Sequence, residues 1–209
     1  MPVYTDVYTV DGSKILSEQR TDEETGNVIR TIYYVYDANG QPVGMKYNGV
    51  QYWYQKNMQG DVVRILNASG AEVVSYAYDA WGKVLSVSGS LSSTVGAANP
   101  FRYRGYYYDT ETGWYYLNTR YYDPNVGRFL SPDTILGANG GLLGYNLYAY
   151  CNNNPVMFVD PSGMCYYRNE YMPGYYNIED IPCWNPLPDY IVNPDDPSKL
   201  VLCEHAQNL

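Results

Sequence analysis

Turn motifs of one pattern recur along the first half of the chain and separate short runs of β-forming residues. The segments YDANG (36–40) and YDAWG (78–82) share the pattern Tyr-Asp-Ala-x-Gly, and NMQGD (57–61) falls near the middle between them. Asp or Asn followed by Gly supplies the backbone conformations that tight hairpin turns need. A repeat of about 20 residues therefore predicts a chain of hairpins in which each strand pairs with the next.

The runs between these turns have the composition of strands. They lie at 31–36, 50–54, 62–66, 73–78 and 84–87, and in the fourth run Val74, Tyr76 and Tyr78 share one face. The chain has 27 Tyr against 3 Phe, with 19 Gly and 13 Pro. Aromatic residues favour strands, whereas Gly and Pro end them. We expect an all-β fold, an antiparallel β-hairpin ribbon joined to an irregular core region with little helix.

Charge and hydropathy exclude several classes of partner. The formal net charge is −9, without a cluster of Lys or Arg, which disfavours nucleic acid and anionic membrane surfaces as partners. Mean hydropathy is −0.41, and no apolar run is long enough for a membrane-spanning helix. The first ten residues lack the basic and apolar regions of a signal peptide.

The cysteines and the single histidine do not form a metal-binding pattern. Cys151, Cys165, Cys183 and Cys203 are widely spaced, and only Cys203 and His205 form a close pair. A structural metal site needs about four ligands in fixed geometry. We therefore expect no metal and no cofactor, and the disulfide state stays open.

Composition divides the chain into three regions. Residues 1–88 carry the hairpin repeats, residues 89–164 form a second region, and residues 165–209 are a tail rich in Pro, Asn and Asp. The small, polar stretch 86–99 is expected to be a loop or mobile insert. Tyr108-Asp109 to Gly113 and Tyr122-Asp123 to Gly127 predict two more hairpin turns.

These motifs carry a family likeness. YDANGQPVG (36–44) and YDAWGKVLS (78–86) resemble the YD repeats of RHS (rearrangement hotspot) proteins. The segments PFRYRGYYYDTETGWYYLNTRYYDPNVGRFLSPD (100–133) and YNLYAYCNNNPVMFVDPSG (145–163) resemble the RHS repeat-associated core domain. The likeness implies a bacterial shell protein, made of a spiralling β-ribbon that the core domain plugs. In such polymorphic toxins the enclosed C-terminal segment is often the toxin.

The resemblance also implies self-cleavage by an aspartyl mechanism. Carried over residue by residue, it assigns Asp133 and Asp160 as the catalytic carboxylates and places the cut between Met164 and Cys165. Arg128 is a candidate to orient a carboxylate or to stabilise the oxyanion. Two neighbouring carboxylates can share a proton, so that one activates water while the other polarises the carbonyl. Asp in such motifs is also a common turn former, and this structural interpretation stays open for both residues.

Two other functions remain open at this level. The chain could be a non-enzymatic cell-surface module that binds glycans or proteins through its tyrosines, or a truncated remnant of a larger RHS protein. Expected partners are the remaining repeats or an enclosed C-terminal segment, with glycans or a cell-surface partner as alternatives, and with neither nucleic acid nor membrane insertion. The expected location is secreted or at the cell surface, as part of a larger protein.

Overall fold

A computed structural model describes residues 3–133 and 146–164, together with the backbone of three further strands in the tail. The chain divides into two compact units, residues 1–118 and 119–209. Residues 136–144, which are rich in Gly, lie outside the described residues, as do Cys165, Cys183, Cys203 and His205.

The first unit is built on one antiparallel sheet whose eight strands follow in chain order. The strands are β1 (Tyr4–Asp11), β2 (Lys14–Asp22), β3 (Val28–Tyr36), β4 (Pro42–Tyr47), β5 (Val50–Lys56), β6 (Val62–Leu66), β7 (Glu72–Tyr78) and β8 (Val84–Ser88). The predicted all-β hairpin ribbon is therefore confirmed, and all five predicted runs are strands. Three further strands, β1, β2 and β4, were not predicted.

A single turn geometry explains why the strands end at the repeat motifs. The side-chain Oδ1 of Asp37 accepts hydrogen bonds from the N–H groups of Asn39 and Gln41, at 2.9 and 2.8 Å. Gly40 has φ +76°, which a residue with a side chain rarely adopts. The same pair of bonds, from the second and fourth following N–H groups, recurs at Asn57, Asn67 and Asp79. At each of these four turns the strand register shifts next to the turn, so the turn and a bulge form one repeating unit.

One face of the sheet carries the core of this unit. Ile32, Met45, Ile65 and Val74 are fully buried, and Tyr76 is almost so. The predicted face of β7 is confirmed, since Val74 and Tyr76 are buried and the Tyr78 hydroxyl donates to the Val62 carbonyl oxygen at 2.8 Å.

The segment after β8 is packed, and the expectation of a loop or mobile insert is wrong for its second part. A π-helical turn spans Ser92–Gly96, and Val95 and Ala98 join the core cluster. Asn99 is fully buried, and its side chain bonds the Tyr54 hydroxyl and the Phe101 carbonyl oxygen, both at 2.7 Å. Small side chains allow this segment to lie close against the sheet, which is why a polar, structureless composition misled the prediction.

The rest of the first unit is a short turn and a hairpin. A 3-10 turn at Tyr103–Gly105 precedes β9 (Tyr107–Asp109), which pairs with β10 (Trp114–Tyr116). The turn between them follows the predicted Asp-x-x-x-Gly pattern, because the Gly113 N–H donates to the Asp109 carbonyl oxygen at 2.8 Å.

The second unit contains a hairpin, an irregular segment and short strands. β11 (Tyr121–Asp123) pairs with β12 (Arg128–Phe129), and the Gly127 N–H closes their turn on the Asp123 carbonyl oxygen at 2.9 Å. A 3-10 turn at Cys151–Asn153 leads to β13 (Phe158–Val159), which pairs with β14 (Tyr167–Arg168). β15 (Tyr190–Asn193) pairs with β16 (Asp196–Leu202). The predicted region boundaries at 88/89 and 164/165 stay a prediction.

Candidate functional site

The second unit contains a buried arginine. Arg120 directly precedes β11, is 8% exposed, and sits with its guanidinium carbon 3.6 Å from the centroid of the Phe129 ring. Its Nη1 donates to the Leu147 carbonyl oxygen at 3.1 Å. A buried cation is costly unless it is paired and hydrogen-bonded, and two carboxylates supply that pairing.

The two carboxylates are those assigned from the sequence. Arg120 Nη2 lies 3.0 Å from Asp133 Oδ2 and 3.7 Å from Asp160 Oδ2, so one nitrogen contacts both groups. The fold thus brings together two acids that are far apart in the chain. A positive charge in contact with two negative charges offsets their mutual repulsion.

Asp160 holds the backbone that follows it. Its Oδ1 accepts hydrogen bonds from the N–H groups of Gly163 and Met164, at 2.8 and 3.2 Å. Gly163 has φ +73°, which explains a glycine at the end of the motif. The Gly163 carbonyl oxygen accepts a bond from Arg120 Nε. Asp160 is therefore a turn former and a member of the charged cluster at the same time.

Asp133 is held through its own backbone N–H. Its N–H donates to the Leu147 carbonyl oxygen at 2.8 Å, the same oxygen that Arg120 Nη1 contacts. Its side chain is 11% exposed, against 3% for Asp160. Asp133 is consequently the carboxylate that is more accessible to water.

Arg128, the arginine chosen from the sequence, is not the one that joins the carboxylates. It lies on β12, where it is exposed and pairs in register with Asp123. The sequence reasoning missed Arg120, which stands directly before the aromatic strand RYYD (120–123). An arginine next to a strand that buries a tyrosine has to find a carboxylate if it is buried as well, and that signal could have found it.

Aromatic rings support the cluster. Tyr122 and Tyr150 are fully buried with ring centroids 4.1 Å apart, and both rings contact Phe129, on whose face Arg120 lies. Ring packing of this kind restricts side-chain motion and so fixes the position of the arginine.

Neither a metal-binding group nor a membrane-spanning helix is found within the described part of the chain. No three His, Cys, Asp or Glu side chains come together there as metal ligands would. Its helices are all too short or too polar to cross a bilayer. Cys151 is buried.

The hairpin ribbon with repeating Asx turns defines a YD-repeat shell segment. The chain belongs to the Teneurin YD-shell family, whose model matches residues 24–156. The resemblance to RHS and YD-repeat proteins is thereby confirmed.

Similar proteins include several named as toxins or nucleases. The chain is 43% identical over 156 residues to the tRNA nuclease WapA of Bacillus subtilis, a match that covers 75% of this chain and 6% of that protein. It is 46% identical over 67 residues to the toxin protein Tse5 of Pseudomonas aeruginosa, covering 32% of this chain and 5% of that one. The chain thus spans only a small part of the length of these relatives.

Solved structures show the same fold. The crystal structure of TcdB2-TccC3-Cdc42 matches with a TM-score of 0.60 and 26% identity, covering 72% of this chain and 7% of that one. The crystal structure of TcdB2-TccC3-TEV matches with a TM-score of 0.64 and 24% identity, over 78% of this chain and 8% of that one. This second likeness concerns the fold alone.

Proposed function

We propose that the chain is the C-terminal portion of a bacterial YD-shell protein and that its core cuts the backbone between Met164 and Cys165. The ribbon acts as scaffold, and the cut separates residues 1–164 from the segment that follows. One observation carries this proposal: a single nitrogen of Arg120 contacts the carboxylates of Asp133 and Asp160. The same arginine binds the carbonyl oxygen of Gly163, one residue before Met164.

The proposed reaction is hydrolysis of one peptide bond. Asp133 takes a proton from a water molecule, and the water oxygen bonds to the carbonyl carbon of Met164. Arg120 stabilises the negative charge that develops on the carbonyl oxygen. The bond to the Cys165 nitrogen then breaks as the proton passes from Asp133 to that nitrogen. The products are a carboxyl group on Met164 and an amino group on Cys165.

Asp160 contributes position and charge in this scheme. Its Oδ1 binds the N–H groups of Gly163 and Met164, so the residue whose carbonyl is attacked is held next to the cluster. Presenting the bond within the same chain replaces an encounter between two molecules by a fixed geometry, which can lower the barrier substantially.

Intact mass spectrometry of the purified chain tests the proposal. We expect the wild-type chain to yield fragments 1–164 and 165–209, and we expect Asp133→Asn, Asp160→Asn and Arg120→Gln to remain whole. Arg128→Gln is the matched control, because it removes an exposed guanidinium of the same unit, and it should cleave like the wild type. A wild-type chain that keeps one mass over days, or an Asp133→Asn chain that still cleaves there, would refute the mechanism.

Asp160→Asn separates catalysis from turn formation. In the first unit Asn57 and Asn67 make the same turn bonds as Asp37 and Asp79, so an amide oxygen serves as well as a carboxylate oxygen. The variant therefore keeps the acceptor for Gly163 and loses only the charge. Cleavage at the wild-type rate would assign Asp160 to turn formation alone.

The length of the relatives supports a proposal about partners, and their names support one about location. Because the chain corresponds to 5–6% of the length of these two relatives, we propose that the remaining repeats or an enclosed C-terminal segment are its partners. A secreted or cell-surface location is proposed with them. It is supported by the names of the relatives, which include a toxin protein and a salivary gland surface protein from Aedes aegypti.

A further inference from the structure

The backbone before the proposed cleavage point is bound at consecutive groups. Thr119 Oγ1 donates to the carbonyl oxygen of Ser162 at 2.7 Å, and Arg120 Nε donates to the carbonyl oxygen of Gly163. Two neighbouring side chains thus contact two neighbouring carbonyls. All these bonds go to main-chain atoms.

We propose that Thr119 is a positioning residue for the cleavage, an inference that rests on the proposed function. Gly163 lacks a side chain and is the most freely rotating joint between Ser162 and Met164. Its rotation is limited on both sides. The peptide unit before its Cα is held by Thr119, at the Ser162 carbonyl oxygen, and by Asp160, at the Gly163 N–H, while Arg120 holds Gly163's own carbonyl oxygen. Without the threonine bond, one of the two bonds to the first peptide unit is lost.

The role assigned to Thr119 is separate from stabilising the core. Its side chain is exposed, so it fills no buried space, and its hydroxyl reaches across 43 residues of sequence to Ser162. The preceding residue, Asn118, has φ +63°, a left-handed conformation that begins the short stretch leading to Arg120. If the peptide bond that is to be cut moves by about 1 Å, the reaction can slow greatly. The surface hydrogen bond of Thr119 therefore matters for the cleavage rate, because it helps to position the peptide bond that is cut.

The test compares one variant that removes the hydroxyl of Thr119 with another that keeps it. Thr119→Val keeps the shape and removes the hydroxyl, whereas Thr119→Ser keeps the hydroxyl. Thr112→Val is the matched control, because Thr112 is another exposed threonine whose hydroxyl bonds a partner nearby, Asp109 Oδ2 at 2.8 Å. The measurement is the first-order rate at which fragment 165–209 appears, with the thermal unfolding midpoint recorded for every variant.

We expect Thr119→Val to cleave about fivefold to tenfold more slowly than the wild type, the loss expected for one hydrogen bond. Thr119→Ser should restore the rate to within about twofold, and Thr112→Val should leave it unchanged. The unfolding midpoint of Thr119→Ser should match that of the wild type, and those of Thr119→Val and Thr112→Val should fall by similar small amounts, because each loses an exposed hydroxyl and its hydrogen bonds.

Three outcomes would overturn the assignment, and they can be told apart. If the wild type cleaves and Thr119→Val cleaves at the same rate, the role of Thr119 is refuted while the proposed function stands. If the wild type does not cleave, the proposed function fails, and the role of Thr119 fails with it. A slow Thr119→Ser variant would also count against the role, because its hydroxyl remains.

Discussion

Gly82 and Gly70 occupy the same position in two copies of one turn, yet their surroundings differ. Both have strongly positive φ, +89° and +81°. A Cβ added at Gly82 would lie 2.5 and 2.6 Å from Cδ1 and Cγ of Tyr103, whereas one added at Gly70 would have nothing within 4 Å. Replacing each by alanine therefore separates the cost of the backbone conformation from the cost of overpacking.

The Tyr103 ring cannot easily move away from an added methyl group. It is 2% exposed, and its hydroxyl donates to the carbonyl oxygen of Ala80 at 2.9 Å. The carbonyl of Gly82 is itself held by the Tyr115 hydroxyl at 2.8 Å. The turn and the ring are thus fixed on both sides, and relief of the clash requires several groups to shift together.

The magnitudes follow from these two terms. A left-handed conformation costs a residue with a side chain about 1–2 kcal/mol, and this cost applies to both variants. Overpacking a filled site adds about 1–3 kcal/mol, and this cost applies only to Gly82→Ala. We expect the free energy of unfolding to fall by about 1–2 kcal/mol for Gly70→Ala and by about 2–5 kcal/mol for Gly82→Ala.

Urea unfolding followed by far-ultraviolet circular dichroism and tryptophan fluorescence measures both losses. Three of the four tryptophans, Trp53, Trp81 and Trp114, lie in the first unit with the two turns, so their emission reports on it. Equal losses for the two variants would refute the argument that Tyr103 packs against the turn. A larger loss for Gly70→Ala would refute the equivalence of the turns.

Three further predictions concern polar groups that are buried or half-buried. Asn99→Ala leaves the Tyr54 hydroxyl without its acceptor and should lower the free energy of unfolding by about 1–3 kcal/mol in the same denaturation assay. Burial raises the pKa of Tyr36 from 10.0 to about 12. Because the folded pKa is above the unfolded one, the stability contributed by the neutral tyrosine is complete below pH 10 and is lost as the pH rises through 12. Tyr36→Phe should weaken the alkaline fall of the unfolding midpoint, and an unchanged fall would contradict this. Glu18 is 2% exposed with Arg30 Nη2 at 3.1 Å, so Arg30→Met strands a buried charge and should cost about 3 kcal/mol. The double variant with Glu18→Leu should recover most of that loss in the same assay, and failure to recover it would contradict the pairing.

Local hydrogen bonding explains what could be predicted of the fold. The bonds that make the turn at Asp37 all lie within residues 37–41, so the residue types at those positions are sufficient to indicate the turn. The segments between such turns are too short for an ordinary helix, so their β-forming residues indicate strands. The unpredicted strand β4, PVGMKY (42–47), contains both Pro and Gly, which argued against a strand. Its Gly44 lies against the Trp53 ring and the Tyr52 carbonyl oxygen, a close approach that only a residue without Cβ permits.

The candidate site was predicted in part. Asp133 and Asp160 were named because of a family resemblance, and they do lie on one cation. The prediction named Arg128 and did not consider Arg120, although both arginines adjoin aromatic strand residues. Spacing along the chain does not say which of them turns inward.

The sequence by itself determined the four repeating turns, since those at Asp37, Asn57, Asn67 and Asp79 are each stabilised by bonds within four residues of the Asp or Asn. Only the tertiary structure decided which groups meet across long stretches of chain. It buried Asn99 under the sheet and brought Arg120, Asp133 and Asp160 to one point. The physical reason is that burial of a charge or an amide depends on what packs over it, and that is a property of the whole folded unit.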